Sequence, residues 1–151
     1  MPITLRRATE ADQPAIDALI QALHLYAGNT HWSQFVVAVD GAAPEIVAMG
    51  QIRPQPDGTR ELGSIGTAPE YRGRGLAHQI IARLLADETG VLYLMCHAPM
   101  GRLYEAFGFR TLDQADLPPH WAMLLGLASQ AHGLTADEAP LQIMRRPGAT
   151  A

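Results

Sequence analysis

The chain has 151 residues, 48% of them hydrophobic and 17% charged, a composition that supports one domain with its own core and excludes a disordered chain. Eleven basic against fifteen acidic residues leave a formal charge of -4, which argues against a nucleic-acid partner. All the basic residues are arginine, which excludes a Walker phosphate loop, a Schiff base and pyridoxal chemistry, and the single cysteine, Cys96, excludes an internal disulfide or a cysteine-based zinc cluster.

Ile3 to Arg7 alternate apolar and polar, a short strand signal. Thr9 offers a helix N-cap with Asp12 as its capping-box partner. Ile16, Leu19, Ile20 and Leu23 share a helical face, which predicts a helix over 10–25 that stops at Gly28 and Asn29. Strands are predicted over 34–39, 45–52 and 60–67, joined by turns at 40–44 and 54–58, as an antiparallel meander. A loop over 68–75 leads into a helix over 76–88 with Leu76, Ile80, Ile81, Leu84 and Leu85 inward. Val91 to Cys96 is almost wholly apolar and reads as a strand buried on both faces. Strand, helix, strand in this order implies a right-handed crossover and a parallel pair.

Pro99 opens a short helix ending near Phe107, and 109–112 is extended again. From Asp113 the texture changes. Pro118 and Pro119 introduce an apolar helix from Trp121 to Ala131 with Trp121, Leu124, Leu125 and Ala128 on one face, and a last strand follows at 141–144. Arg6 and Arg7 precede no apolar run, so no signal peptide is read. No stretch reaches the roughly 18 apolar residues that span a bilayer. The expectation is a soluble, cytoplasmic protein with no membrane partner.

The most informative segment is Ile65-Gly66-Thr67-Ala68-Pro69-Glu70-Tyr71-Arg72-Gly73-Arg74-Gly75-Leu76-Ala77. A strand runs into a glycine-rich turn inside which a helix begins. The first turn of a helix offers unpaired N–H groups and a partial positive charge to an anion. Gly73 and Gly75 let the backbone approach it, and Arg72 and Arg74 add charge. A Rossmann fingerprint would sit at the first strand rather than in mid-chain.

Arg72-x-x-Gly75-x-Ala77 resembles the pyrophosphate loop of the GNAT superfamily of acyl-CoA-dependent N-acetyltransferases, Gln/Arg-x-x-Gly-x-Gly/Ala. The order of elements from residue 3 to about 112 is similar to that family too. The resemblance implies a mixed, mostly antiparallel α/β sheet of about six or seven strands with a parallel splayed pair, flanked by helices. It implies one acetyltransferase domain over 1–151 with an insertion at about 113–140, open to a role as substrate lid or as the surface of a homodimer. Acetyl-CoA is the implied co-substrate, with no metal. Its contacts would come from the backbone of Ile65, Gly66 and Thr67, from Arg72, Gly73, Arg74, Gly75 and Ala77, and from the backbone N–H of His78.

Tyr104-Glu105-Ala106-Phe107-Gly108-Phe109 resembles the family's Tyr-x-x-x-Gly-Phe, which makes Tyr104 the general acid that protonates the departing thiolate. Phe107 and Phe109 read as packing. Seven residues before this tyrosine the family often has an asparagine that contacts pantetheine; here His97 stands there, open to that contact, to a base role or to none. Cys96 and His97 are neighbours on a strand and point to opposite faces, so no nucleophilic dyad is read, and Cys96 is expected as a small buried hydrophobe.

An alkyl amine must be neutral to attack, and Glu61, on the alternating face with Gly63, Ile65 and Thr67, is one carboxylate candidate; a charge paired with Arg53 or Arg60 is the other reading. The base stays unassigned. Tyr26, His31 and Trp32 at the first helix exit, with His120 and Trp121 in the insertion, are candidate acceptor-side residues or packing. His24 and His31 are split by a helix stop and form no metal pair. Acetyl transfer to a primary amine of a small molecule or peptide by direct attack is the function implied, and an inactive CoA-binding sensor or interaction domain is the alternative.

Overall fold

In the computed structural model, which describes residues 2–41, 45–131, 133 and 140–149, the chain forms two compact units, Met1–Pro54 with Glu61–Glu88 and Gln55–Arg60 with Thr89–Ala151. Seven strands are found among the described residues, at the upper end of the expected six to seven. The class is the expected one, α/β with mostly antiparallel strands and flanking helices. Part of the turn predicted at 40–44 lies outside the described residues, as do 132 and 134–139 of the insertion and the end of the tail.

The first unit follows the order β1 (Ile3–Arg7), β2 (Phe35–Asp40), β3 (Glu45–Pro54) and β4 (Arg60–Thr67) across its sheet. β1 and β2 are antiparallel from Ile3 opposite Asp40 to Arg7 opposite Val36. β2 and β3 are antiparallel with a register shift between Ala38 and Val39. Before α1 (Gln13–Ala22), a 3-10 turn over Glu10–Asp12 carries the expected capping contact, in which the Thr9 amide donates to the Asp12 carboxylate at 2.7 Å. The same carboxylate takes two bonds from the Arg6 guanidinium, at 2.7 and 3.0 Å.

The helix predicted to reach Leu25 ends at Ala22 instead. His24 takes a left-handed φ of 56°, the Leu25 amide bonds the Ile20 carbonyl, and the His24 amide bonds that of Gln21. That is a Schellman closure, usually reserved for glycine or asparagine, and it stops the helix well before Gly28. Ile16 and Ile20 still reach the core formed with Ala8, Phe35, Val37 and Met49. On the other face, α2 (Leu76–Leu85) buries Leu76, Ile80, Ile81, Leu84 and Leu85 as its periodicity requires, a gain of about 1.5–3 kcal/mol for each large side chain.

The second unit contains β5 (Leu92–His97), α3 (Gly101–Glu105), β6 (Arg110–Thr111), α4 (Pro119–Ala131) and β7 (Leu141–Arg146). Its strand order is β5-β7-β6, with β7 antiparallel to both neighbours. β5 departs from the expectation of burial on both faces. Leu92, Leu94 and Cys96 are buried, while Tyr93 and Met95 are only half-buried. The apolar composition of the second face reflects partial cover, here including the ring of Trp121 stacked 5.4 Å from Tyr93.

Trp121 is fully buried and donates its indole N–H to the Thr59 hydroxyl at 2.9 Å. Thr59 in turn donates to Asp57, and His120 pairs with Gln55 at 2.9 Å. The insertion therefore docks α4 on the turn of residues 55–60 through His120 and Trp121 in its first turn. The rest of α4 carries no charge, and Met123 and Leu127 project from it into solvent.

Candidate active site

The sequence of β4 predicts strict alternation, and the structure breaks it at Ser64. This residue has a φ of 53° in mid-strand, a conformation that costs a residue with a Cβ about 1–2 kcal/mol. Its hydroxyl accepts a 2.9 Å bond from Gln51, which is completely buried and which also accepts from Gln34 at 2.8 Å. The polar chain offsets the strain and fixes the reversal. Its consequence is a reset of faces. Glu61 and Gly63 lie beside Arg53, whereas Ile65 converges with Ile80 and Leu84 on Gly50, under α2. Glu61 and Ile65 thus do not share a face, contrary to the alternation argument.

Gly66 lies on the α1 side of β4, where a Cβ would come within 2.6 Å of Leu23 and 3.2 Å of Leu25. Thr67 ends the strand and Ala68 donates its amide to the Val47 carbonyl at 2.8 Å. A 3-10 turn over Pro69–Tyr71 then leads to Arg72, Gly73, Arg74 and Gly75. Gly73 and Gly75 have φ of 79° and 76°, with no atom within 4 Å of where a Cβ would stand. Glycine is required here by the backbone angle, and the open side leaves room for an approaching group. The Gln79 amide makes the first bond of α2, to the Gly75 carbonyl; the amides that precede such a bond are those a helix N-terminus presents to anions.

Both arginines are exposed and anchored by one nitrogen each. Arg72 donates Nε to the Thr67 carbonyl at 3.3 Å, and Arg74 donates to the Glu70 carbonyl at 3.3 Å. The Arg74 guanidinium also lies 4.8 Å from the centre of the Tyr71 ring, whose hydroxyl donates to Asp40. This places a fixed pair of cations beside an open helix start. Ala77 and His78 follow in the first turn of α2.

In the second unit Tyr104 sits on α3, 8% exposed, edge-on to Phe109 at 6.2 Å. Its carbonyl takes the Phe107 and Phe109 amides, and Gly108 turns the chain between them with a φ of 94°. This wrap explains the Tyr-x-x-x-Gly-Phe spacing locally. Burial, with the Cys96 sulfur adding to it, pushes the Tyr104 pKa up to about 12. At neutral pH only about one such phenol in 10⁵ is charged, so Tyr104 holds its proton. Burial also pushes the Cys96 thiol up, opposed by a bond from the Gln142 amide at 3.7 Å. Cys96 is buried, as expected of a small hydrophobe, and the next residue, His97, is exposed.

The acceptor-side candidates occupy different settings. Tyr26 is 72% exposed and lies over the Arg53 guanidinium at 5.4 Å. Glu61 holds that guanidinium by two bonds of 2.8 and 3.2 Å, and a third goes from Arg53 to the Gly28 carbonyl. The His31 ring accepts the Ser33 amide at 3.2 Å and stands 5.1 Å from Trp32, which packs on the core of the first unit. Four residues of this region were not singled out from sequence: Asp40, Tyr71, Gln51 and Ser64. Tyr71 directly precedes the arginine motif, a usable signal; nothing local marked Ser64 as left-handed. Among the described residues no group of three or more His, Cys, Asp or Glu is placed to hold a metal, and no helix is long and apolar enough to cross a membrane.

A model of the acetyltransferase (GNAT) family matches residues 4–109. No curated protein matches the sequence. Among solved structures, N-acetylglutamate synthase from Neisseria gonorrhoeae, complexed with coenzyme A and N-acetyl-glutamate, superposes with a TM-score of 0.70 at 16% identity. The match covers 99% of this chain and 36% of the synthase, so the chain spans about a third of that protein. The ribosomal-protein-S18-alanine N-acetyltransferase from Escherichia coli gives 0.62 at 19% identity, over 99% of this chain and 96% of that one. Diaminobutyrate acetyltransferase from Paenibacillus lautus, in complex with L-2,4-diaminobutyric acid and coenzyme A, gives 0.61 at 13% identity, over 95% and 94%. At these identities the likeness is one of fold.

Proposed function

The chain belongs to the acetyltransferase (GNAT) family, and on that premise we propose that it moves acetyl from acetyl-CoA to a primary amine of a small molecule or peptide within a ternary complex. The observation that carries this reading is the 72–77 loop: two left-handed glycines, two anchored arginines and a helix start with one open side. In the proposal, Arg72, Gly73, Arg74, Gly75 and Ala77, with the His78 amide, hold the pyrophosphate. The backbone of Ile65, Gly66 and Thr67 pairs with the pantetheine arm and the acetyl carbonyl, and His97 contacts the arm.

The amine nitrogen forms its bond to the thioester carbon while the carbon–sulfur bond breaks. Sulfur leaves as a thiolate and takes the phenolic proton of Tyr104; the nitrogen gives its own proton to solvent, from which the phenolate is refilled. Protonation as the carbon–sulfur bond breaks neutralises the charge that develops on sulfur and keeps the thiolate from attacking the new amide. On the acceptor side Tyr26 offers an exposed ring, while His31, Trp32 and Glu61 are held by local bonds and shape the wall.

The test is a thiol-release screen with acetyl-CoA over polyamines, amino acids, aminoglycosides and peptide N-termini. Release above the acceptor-free rate with at least one amine is expected. Binding of acetyl-CoA without release from any amine would replace the reading with a CoA-binding sensor, and no binding would remove both.

A further inference from the structure

Two oppositely charged groups from separate parts of the first unit meet at Tyr71. Its ring supports the Arg74 guanidinium at 4.8 Å, and its hydroxyl donates to Asp40 at the far end of β2, 31 residues away. Tyr71 is half-buried and ends the 3-10 turn that opens the loop, while Arg74 is exposed and is also anchored through its bond to the Glu70 carbonyl. An exposed arginine loses rotamer entropy when a ligand immobilises it. A ring held in place beneath it removes part of that cost before the ligand arrives. The ring is itself held, because the charge-assisted bond to Asp40 fixes the phenol, and the carboxylate in turn pushes the Tyr71 pKa up, so the bond stays intact at neutral pH.

We propose that Asp40 and Tyr71 are positioning residues that preset Arg74 for the polyphosphate of acyl-CoA, so that a carboxylate on another strand raises affinity for an anion. The inference rests on the loop being the CoA site. Its signature is a sign. Asp40 is a negative charge near the arginines, and as a mere bystander it would repel the ligand, so its removal would tighten binding. As a positioning residue its removal weakens binding.

The experiment measures CoA affinity by calorimetry on the full chain, with thermal melts to confirm folding. Asp40→Ala and Tyr71→Phe each break the same bond and are expected to raise Kd by about 3–10-fold, as loss of one hydrogen bond of ordinary net strength would. The double variant should be no worse than either single one. Asp40→Asn keeps an acceptor oxygen for the hydroxyl without the charge and should restore wild-type or tighter binding. In an Arg74→Ala background, Asp40→Ala should change nothing further. Equal or tighter binding by Asp40→Ala, or an undiminished effect without Arg74, overturns the inference while leaving the CoA site in place. A wild-type chain that does not bind CoA overturns both, and a Gly75→Glu variant that binds normally moves the site away from the loop and overturns the inference with it. Should Asp40→Ala fail to fold, Tyr71→Phe carries the comparison alone, and wild-type affinity in it refutes the role.

Discussion

Arg53 and Glu61 face each other from β3 and β4 and are joined by two parallel hydrogen bonds, with 6% and 7% of their surfaces exposed. The third nitrogen of the same guanidinium holds the Gly28 carbonyl, and Tyr26 lies over its plane. The pair therefore ties the exit of α1 to the strand that leads into the loop. A buried ion pair contributes little net stability over an apolar pair of similar size, yet breaking one half is costly. Glu61→Gln is expected to destabilise the protein by about 3 kcal/mol, or roughly 10 °C in Tm. Arg53→Met with Glu61→Leu should recover most of that loss in the same thermal melts. An unchanged melt for Glu61→Gln would show that the charge is solvated.

Gly75 separates binding from folding. Its left-handed φ makes any side chain strained, but the space around it is open, so Gly75→Glu should fold with a cost of about 1–2 kcal/mol. It should lose the stabilisation that acetyl-CoA gives the wild-type chain, about 2.7 kcal/mol at a hundredfold excess over Kd. A melt with and without ligand checks both; a retained ligand shift would make the loop a turn and nothing more.

Tyr104→Phe keeps the ring that packs on Phe109 and removes the hydroxyl. If the hydroxyl protonates the leaving sulfur, kcat should fall by about 10²-fold or more with little change in acetyl-CoA affinity. The measurement is steady-state kinetics with any acceptor the screen finds, and a wild-type kcat would withdraw the role.

The same residue sets an alkaline limit. Its folded pKa is raised to about 12 above an ordinary value near 10, so its protonated form contributes stability that is complete below pH 10 and is lost as pH rises through about 12. Tyr104→Phe should therefore lose less stability than wild type between pH 10 and 12 in denaturant titrations. Equal losses would mean that the phenol ionises as easily in the folded chain as in the unfolded one.

Asp12 acts at the other end of the scale. The Arg6 guanidinium bonded to it, aided by the Thr9 amide, holds its pKa down at about 2. Its stabilising effect is present above pH 4 and disappears as pH falls toward 2. Asp12→Asn should flatten the acid limb of a pH–Tm curve and leave the curve above pH 6 nearly parallel to wild type.

Most elements were legible because period and punctuation agreed. β4 has the bounds expected from Arg60 to Thr67, and the inward face of α2 is the one its leucines and isoleucines mark. The loop motif was legible because its glycines serve a backbone angle that only sequence neighbours determine. What escaped depends on distant partners. His24 and Ser64 adopt left-handed backbone that their types do not advertise, each stabilised by bonds to residues elsewhere in the chain or one turn back. Glu61 was read both as a candidate base and as half of an ion pair, and only the fold brings the Arg53 fork within bonding distance. Asp40 and Tyr71 are 31 positions apart, beyond the reach of any local pattern.

The two tryptophans fall one to each unit, and their surroundings differ: Trp32 is half-buried beside the His31 ring, and Trp121 is sealed, stacked on Tyr93 and bonded to Thr59. The chain thus carries its own pair of optical reporters. Trp121 should emit at shorter wavelength than Trp32, and replacing either one by phenylalanine would leave a single signal from one half of the molecule. Followed through a melt, the two colours would register whether the halves come apart at one temperature or at two.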